Sequence, residues 1–168
     1  VADALHAVHA AGVLHKDVDP ANILVVANGG AQLADFGAAV AVLRESSTAH
    51  ANAEGTLAYL APERTGRMNR PADHRSDLYA LGISLYEMLV GTVPFDGDDP
   101  LEVVHAHLAR PAPDPRESVA ELPEAVAKLV ERLLRKDPAD RYQSALSLRH
   151  DLDAMLDAIG RTGTVVDM

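Results

Sequence analysis

Two short acidic motifs near the start of the chain have the residue types to share one phosphate-bound metal ion. The first is His15-Lys16-Asp17, followed five positions later by Asn22, and the second is Asp35-Phe36-Gly37. Phosphoryl transfer needs a carboxylate that orients the incoming hydroxyl, and hard oxygen ligands that hold magnesium against a nucleotide's phosphates. Asp17 suits the first role, whereas Asn22 and Asp35 suit the second. The spacing therefore indicates phosphoryl transfer with a nucleotide and Mg²⁺.

The segment between the two motifs predicts how they come together. Residues 23–26 and 31–34 are short apolar runs on either side of Asn28-Gly29-Gly30. This pattern is typical of a β-hairpin. A hairpin would return the chain to its starting point, so that Asn22 and Asp35 converge on one cation. The alternative is that two unrelated polar turns happen to flank a hairpin.

Size and composition limit the class of protein. The chain has 168 residues, 48% of them hydrophobic, which is enough for one ordinary core. A net charge of −10, with no basic cluster interleaved with aromatic residues, disfavours nucleic-acid binding. The absence of cysteine excludes disulfides and thiolate zinc sites, and it is compatible with the cytoplasmic location that we expect. No apolar run approaches the roughly 18 to 20 residues of a membrane span, so we expect no membrane contact from this segment.

The start of the chain looks like the middle of a helix. Leu5 and Val8 give a helical stripe that ends at Gly12, but no capping residue precedes it. Glycine-rich phosphate loops of the GxGxxG or GxxxxGK type are also missing. We therefore expect a fragment that lacks the part of a nucleotide clamp built around such a loop.

The remainder predicts a long loop and then a helical bundle. The loop after Gly37 carries Ser46, Ser47 and Thr48, which are either regulatory phosphorylation sites or part of a plain linker. Residues 76–90 form a helix that is apolar nearly all round and therefore buried, with Ser76 or Asp77 as its cap. Further helices are predicted at residues 100–109, 123–136 and 144–159, the last stopped by Gly160. The expected fold class is α+β, mainly α, with a helical bundle and a short β-hairpin at the acidic loop.

Six motifs in register give the chain a family resemblance. They are His15-Lys16-Asp17, Asp35-Phe36-Gly37, Gly55-Thr56 before Tyr59, Ala61-Pro62-Glu63, the run from Asp77 to Gly82, and Asp137-Pro138-Ala139-Asp140-Arg141. Together they resemble the C-terminal lobe of a eukaryotic-type serine/threonine protein kinase, over residues 1–160, with 161–168 as a tail or linker. The resemblance implies transfer of the γ-phosphate of Mg-ATP to a hydroxyl of a protein substrate in signal transduction.

The resemblance also implies site roles. Asp17 would position the substrate hydroxyl, and Asn22 and Asp35 would bind magnesium. Leu24 would form the floor under adenine. Thr56 would lie beside Asp17, in the pocket for the residue after the phosphoacceptor.

Three further roles that the resemblance implies are architectural. His15 and Phe36 would stack on one another inside the lobe. Asp77 would hold the backbone of the catalytic loop. Glu63 would pair with Arg141.

Two departures from the family pattern bear on activity. Asp19 stands where the family usually has a lysine that contacts the transferring phosphate, and losing one such preorganised contact costs on the order of 10²–10³ in rate. Lys16 stands where the family usually has arginine, and a lysine binds phosphate as a point charge rather than through a two-pronged fork. With the N-terminal lobe missing, we expect the isolated segment to bind ATP poorly and to transfer no phosphate.

Finer wording narrows the resemblance. The stretches from Gly55 to Tyr59, from Thr65 to Arg70 and from Arg141 to Ala145 look like bacterial kinase domains of very large signalling proteins. In those proteins the kinase domain is linked to ATPase, sensor and histidine kinase domains, which we therefore expect as covalent partners.

Other functions stay open at the level of sequence. Asp19 and Lys16 favour a pseudokinase-like module that binds nucleotide and regulates attached domains. A small-molecule phosphotransferase would share the loop spacing but lacks the Ala61-Pro62-Glu63 segment. The scattered histidines, among them His9 and His107, are interpreted as solvated or packing residues.

Overall fold

The computed structural model describes residues 1–27, 29–41 and 57–162, and five helices dominate this part of the chain. They are α1 (Ala2–Ala10), α2 (His74–Val90), α3 (Pro100–Ala109), α4 (Glu124–Leu133) and α5 (Ala145–Thr162). Four short strands are β1 (Val13–Leu14), β2 (Ile23–Val25), β3 (Ala31–Leu33) and β4 (Val40–Ala41). Short 3₁₀ turns connect them, including Pro20–Asn22, Leu57–Tyr59 and Pro62–Thr65. The predicted α+β, mainly α, fold class is confirmed.

Helix α2 runs through the centre of the molecule. Its buried residues lie on every side of the axis, from Ser76 to Gly82 without interruption, as expected for a helix without a polar face. Gly91, at φ 89°, ends it in the left-handed conformation that glycine adopts most readily.

The predicted cap of α2 is wrong. Asp73 is the N-cap, and its side chain accepts the backbone N–H of Arg75. The two residues that we expected to cap the helix are buried instead, because Ser76 bonds to Glu63 and Asp77 bonds to a distant loop.

The other helices pack around α2. Asp99 caps α3 by accepting the N–H of Leu101, as predicted. Helix α4 comes so close to α2 that a Cβ on Gly82 would lie 2.7 Å from Cβ of Leu133. Only glycine allows that approach.

Two helix ends differ from prediction. Helix α4 ends at Leu133, three residues early, and the chain continues into the turn Pro138–Asp140. Helix α5 continues through Gly160 to Thr162. A glycine in a helix costs only about 1 kcal/mol relative to alanine, which does not by itself end one.

The predicted hairpin forms between β2 and β3. Ile23 lies opposite Leu33, Leu24 opposite Gln32 and Val25 opposite Ala31. At the open end the N–H of Ala34 donates to the carbonyl of Asn22 at 2.9 Å. Because β1 pairs with β4 nearby, the loop between β1 and β2 is held at both ends by antiparallel pairing.

Within the described residues, no helix is both long and apolar enough to cross a bilayer.

Candidate active site

The loop from His15 to Asn22, called the catalytic loop below, is fastened from behind by Asp77. One carboxylate oxygen of Asp77 accepts the backbone N–H of His15 and the other accepts that of Lys16, both at 2.9 Å. Asp77 is 1% exposed. Bonds from two amides to a buried carboxylate are charge-assisted and stronger than neutral ones, so helix α2 fixes where the loop begins.

A histidine that sequence reasoning set aside completes this attachment. Nε2 of His9, on α1, lies 2.9 Å from the same Oδ2 of Asp77 that binds His15. Its Nδ1 is buried and makes no hydrogen bond with the described residues. A proton on Nε2 fits this contact, because a carboxylate oxygen can only accept a hydrogen bond. The available signal was spacing, because His9 follows buried Leu5 by four positions on one helix face.

Two more contacts hold the middle of the catalytic loop. The side chain of Val18 is 1% exposed and part of the core. Its carbonyl lies 3.3 Å from Ser84 Oγ, whose one proton it shares with the carbonyl of Ala80 at 3.0 Å. Lys16 has φ 70°, in the left-handed region, and its carbonyl accepts a hydrogen bond from Arg64 Nη1 at 2.5 Å. No local pattern predicts these roles of Arg64 and Ser84, because both contacts join distant segments.

Asp17 and Asn22 meet directly. Nδ2 of Asn22 donates to the backbone carbonyl of Asp17 at 3.0 Å and to its Oδ2 at 3.1 Å. These bonds orient the amide so that its oxygen is available for another group. The two residues that we assigned to hydroxyl positioning and to metal binding thus form one unit.

Asp19 has a local structural role. Its Oδ1 accepts the backbone N–H of Asn22 at 2.9 Å and caps the turn Pro20–Asn22. A lysine has no acceptor with which to make this bond. The carboxylate therefore stabilises the turn that presents Asn22, whatever it does to phosphate.

The second motif lies in front of the catalytic loop. Asp35 is exposed and has φ 56°, and its Oδ1 accepts the N–H of Gly37 at 3.0 Å. The rings of His15 and Phe36 are in contact, with centroids 4.6 Å apart, but they pack edge to face and Phe36 is 48% exposed rather than inside the lobe. His15 Nε2 also lies 3.0 Å from the carbonyl of Ala34, which ties the residue before Asp35 to the catalytic loop.

Leu24 lies on strand β2 at the open side of this arrangement. Its side chain is 50% exposed, although it is a large apolar residue. Its expected role as the floor under adenine stays a prediction.

The expected pair of Glu63 and Arg141 is present and fully buried. Two parallel bonds of 2.7 and 2.9 Å join the carboxylate to the guanidinium. Ser76 on α2 donates to Glu63 at 2.8 Å, and the guanidinium lies 4.7 Å from the centre of the Tyr79 ring. This cluster anchors the turn Pro62–Thr65 to α2.

Thr56, Ser46, Ser47 and Thr48 lie outside the described residues, so their expected roles stay predictions. The neighbouring turn is firmly placed, because the Tyr59 hydroxyl donates to Glu87 at 2.6 Å. Burial, and then the bond to Glu87, raise the pKa of Tyr59, so this hydroxyl stays protonated and keeps its bond at neutral pH.

The expected magnesium site at Asn22 and Asp35 stays a prediction, which the chemistry of the two side chains allows. The amide oxygen of Asn22 and the carboxylate of Asp35 are oxygen ligands of the type that Mg²⁺ prefers. In the described part of the chain, no three His, Cys, Asp or Glu side chains cluster in a way that would hold a metal ion. A site of this kind needs phosphate oxygens and water to complete the coordination of magnesium.

Comparison with known proteins agrees with this geometry. The family model of the protein kinase domain matches residues 1–152. A probable serine/threonine-protein kinase of Clostridium perfringens is 41% identical over 155 residues, covering 91% of this chain and 22% of the relative. The probable serine/threonine-protein kinase PknB of Corynebacterium glutamicum is 40% identical over 158 residues, covering 90% of this chain and 24% of the relative.

The match to a third relative covers a larger share of that relative. The serine/threonine-protein kinase PknL of Mycobacterium tuberculosis is 39% identical over 155 residues, covering 92% of this chain and 38% of the relative. The chain thus spans between about a fifth and two fifths of the length of these curated relatives. On the family match and these identities, the chain belongs to the protein kinase family.

Proposed function

We propose that this chain provides the catalytic loop of a protein serine/threonine kinase, which transfers the γ-phosphate of Mg-ATP to a hydroxyl of a protein substrate. The observation that carries the proposal is the bond from the Asn22 amide to the Asp17 carboxylate. It joins a group suited to the substrate hydroxyl to a group suited to the metal. Serine/threonine kinase relatives at about 40% identity support the same activity.

The residues divide the work between substrate and nucleotide. Asp17 orients the substrate hydroxyl and accepts its proton, and the bond from Asn22 keeps the carboxylate in place. Asn22 and Asp35 hold the cation through their oxygens, while Leu24 supports the adenine ring. Thr56 contributes to the pocket for the residue after the phosphoacceptor. Mg-ATP supplies the phosphoryl group and the cation that neutralises its charge.

Phosphoryl transfer by the intact protein tests this function. With radiolabelled ATP and a protein acceptor, Asp17→Asn should lower the rate at least about 100-fold, since catalysis by a positioned carboxylate contributes 10²–10⁴. Asp3→Asn, an exposed carboxylate on α1, is the matched control and should leave the rate unchanged. Equal rates for the wild type and Asp17→Asn would contradict the proposal.

Asp19 favours a second candidate, a nucleotide-binding regulatory module without transfer. Its carboxylate stands where the family usually has a cation. An intact protein that binds Mg-ATP but labels no acceptor, either as the wild type or as Asp17→Asn, would support this alternative.

A larger parent is the finer part of the proposal. We propose that residues 1–160 are the C-terminal lobe and that 161–168 lead to linked ATPase, sensor and histidine kinase domains. The support is the wording of three sequence stretches and the greater length of the relatives. Sequencing the flanking DNA tests it, because an upstream glycine loop and a downstream ATPase gene segment are expected.

A further inference from the structure

Lys16 adopts a backbone conformation that its surroundings must maintain. Its φ of 70° lies in the left-handed region, which costs about 1–3 kcal/mol for a residue other than glycine. Such a conformation persists only where neighbouring groups hold it. The next residue is Asp17. The orientation of the peptide between Lys16 and Asp17 therefore sets the direction in which the Asp17 side chain leaves the backbone.

Two side chains from outside the catalytic loop hold the polar groups of Lys16. Asp77 accepts its N–H at 2.9 Å, and Arg64 donates Nη1 to its carbonyl at 2.5 Å. That carbonyl belongs to the peptide unit that also contains the N–H of Asp17. The same N–H lies 3.3 Å from Nδ1 of His15. Arg64 therefore acts on the peptide that carries Asp17, whereas Asp77 acts one peptide earlier.

Arg64 is itself held at a defined position. It lies in the turn Pro62–Thr65, whose Pro62 and Glu63 are buried. Two hydrogen bonds from Arg141 and one from Ser76 hold the carboxylate of Glu63 in place. At the other end of the turn, Thr65 Oγ1 donates to the carbonyl of Pro62 at 2.7 Å. Because Arg64 is next to Glu63 in sequence, the buried ion pair fixes the backbone position from which the Arg64 side chain extends.

We propose that Arg64 is a positioning residue, whose guanidinium fixes the peptide between Lys16 and Asp17 and so couples the Pro62–Thr65 turn to the proposed catalytic carboxylate. The proposal rests on the proposed kinase function. It gives this segment a task beyond anchoring, since movement of the turn would move the Asp17 peptide. Under this proposal Arg64 brings a permanently charged guanidinium to the catalytic loop, where Lys16 stands in place of the arginine that the family usually has.

The experiment compares Arg64→Met, which keeps the aliphatic stem and removes every donor, with Arg64→Lys. Arg67→Met, an exposed arginine three positions later, is the matched control. In the intact protein we expect Arg64→Met to lower kcat about 10- to 100-fold, the value of a hydrogen bond from a charged group. The KM for Mg-ATP should stay within about twofold, because Arg64 donates to the carbonyl of Lys16, which is not one of the groups that we assign to the nucleotide. Arg64→Lys should recover part of kcat, and Arg67→Met should match the wild type.

Amide hydrogen exchange provides a readout that does not depend on activity. Followed by mass spectrometry on peptides covering residues 14–19 of the intact protein, exchange should become at least about tenfold faster in Arg64→Met. It should stay unchanged in Arg67→Met. A change of KM alone, or wild-type kcat and exchange in Arg64→Met, would overturn the proposal.

A second variant covers the case in which Arg64→Met does not fold. Arg64→Gln then decides, because it keeps the polar surface but does not reach the carbonyl with a charged fork, and wild-type exchange over residues 14–19 in that variant would overturn the proposal. A wild-type protein that transfers no phosphate would contradict the proposed function. The exchange comparison would still decide the role of Arg64.

Discussion

The catalytic loop has two sides with opposite character. Behind it, Asp77 and Val18 are each 1% exposed, and Ser84 is completely buried. In front of it, Leu24 is 50% and Phe36 is 48% exposed, and Asp35 faces solvent. Val18 and Leu24 are close along the chain, whereas Asp77 and Ser84 belong to the distant helix α2.

The two sides of the catalytic loop differ in where their polar groups find hydrogen-bond partners. Behind the loop, Asp77 binds three donors from two segments of the chain, so the fold itself determines its geometry. In front, Asp35 bonds to Gly37 within its own motif, and in the proposed function its carboxylate would be a ligand of the magnesium ion. We infer that stability depends on the rear side and proposed function on the front side, so the two can be separated by mutation.

The largest effect is expected at the buried pair behind the loop. Glu63→Gln removes a charge and leaves the buried guanidinium of Arg141 uncompensated, which should lower the free energy of unfolding by about 4 kcal/mol. Urea unfolding of the domain measures it. The control is Asp3→Asn, which breaks an exposed pair with Arg149 and should cost less than about 1 kcal/mol. Similar losses in the two variants would remove the distinction between the sides.

One chemical change made on both sides tests the comparison most directly. Asp77→Asn turns an amide N–H₂ toward a backbone N–H or toward His9, which should cost about 3 kcal/mol of unfolding free energy. Asp35→Asn should cost no more than about 0.5 kcal/mol, because the site is exposed and asparagine tolerates the left-handed conformation. The order should reverse for magnesium-dependent nucleotide binding, which Asp35→Asn should weaken without unfolding the domain. Equal destabilisation would show that the front is also part of the framework.

A smaller effect should appear only in acid. The ring of His107 is fully buried beside Phe95, and its Nδ1 lies 3.0 Å from the Tyr79 hydroxyl. Burial, and then the charge of Lys136, lower the pKa of His107 to about 4. The unfolded chain binds this proton near pH 6.5 and the folded chain does not, so stability falls as pH drops from about 6.5 to 4.

By pH 5 the loss relative to pH 7 should reach about 2 kcal/mol. His107→Gln should lack this part of the pH dependence, as seen by subtracting its unfolding curves from those of the wild type. His150→Gln, at a side chain that is 85% exposed, serves as control and should keep the full dependence. If the unfolding free energies of the wild type and His107→Gln fall in parallel as the pH drops, the buried ring does not cause the loss of stability.

Local patterns were sufficient for much of the fold. The hairpin, the cap at Asp99 and the all-round burial of α2 follow from spacing and residue type within single segments. The pair of Glu63 and Arg141 followed from the family resemblance. These features are either local or shared by the family, which is why sequence alone predicted them.

The errors came from polar residues with distant partners. Ser76 and Asp77 have the side chains of helix caps, but tertiary contacts use them instead. His9 and Arg64 gain their roles from residues 68 and 48 positions away, and no local pattern encodes such a pairing. Asp19 was assessed only by the cation that it replaces, and its capping bond to Asn22 was missed.

The attachment of the catalytic loop to α2 has a mechanical consequence. Asp77 and Ser84 are seven residues apart on one helix, or about 10.5 Å along its axis at 1.5 Å per residue. A loop that is attached to a helix at one point can still rotate about that point, whereas a loop attached at two points also keeps its direction. The backbone of His15 and of Val18 should therefore keep its position relative to α2, whereas the peptide between Lys16 and Asp17 also depends on Arg64. Any wider opening of the site must come from parts of the chain that are not attached to α2.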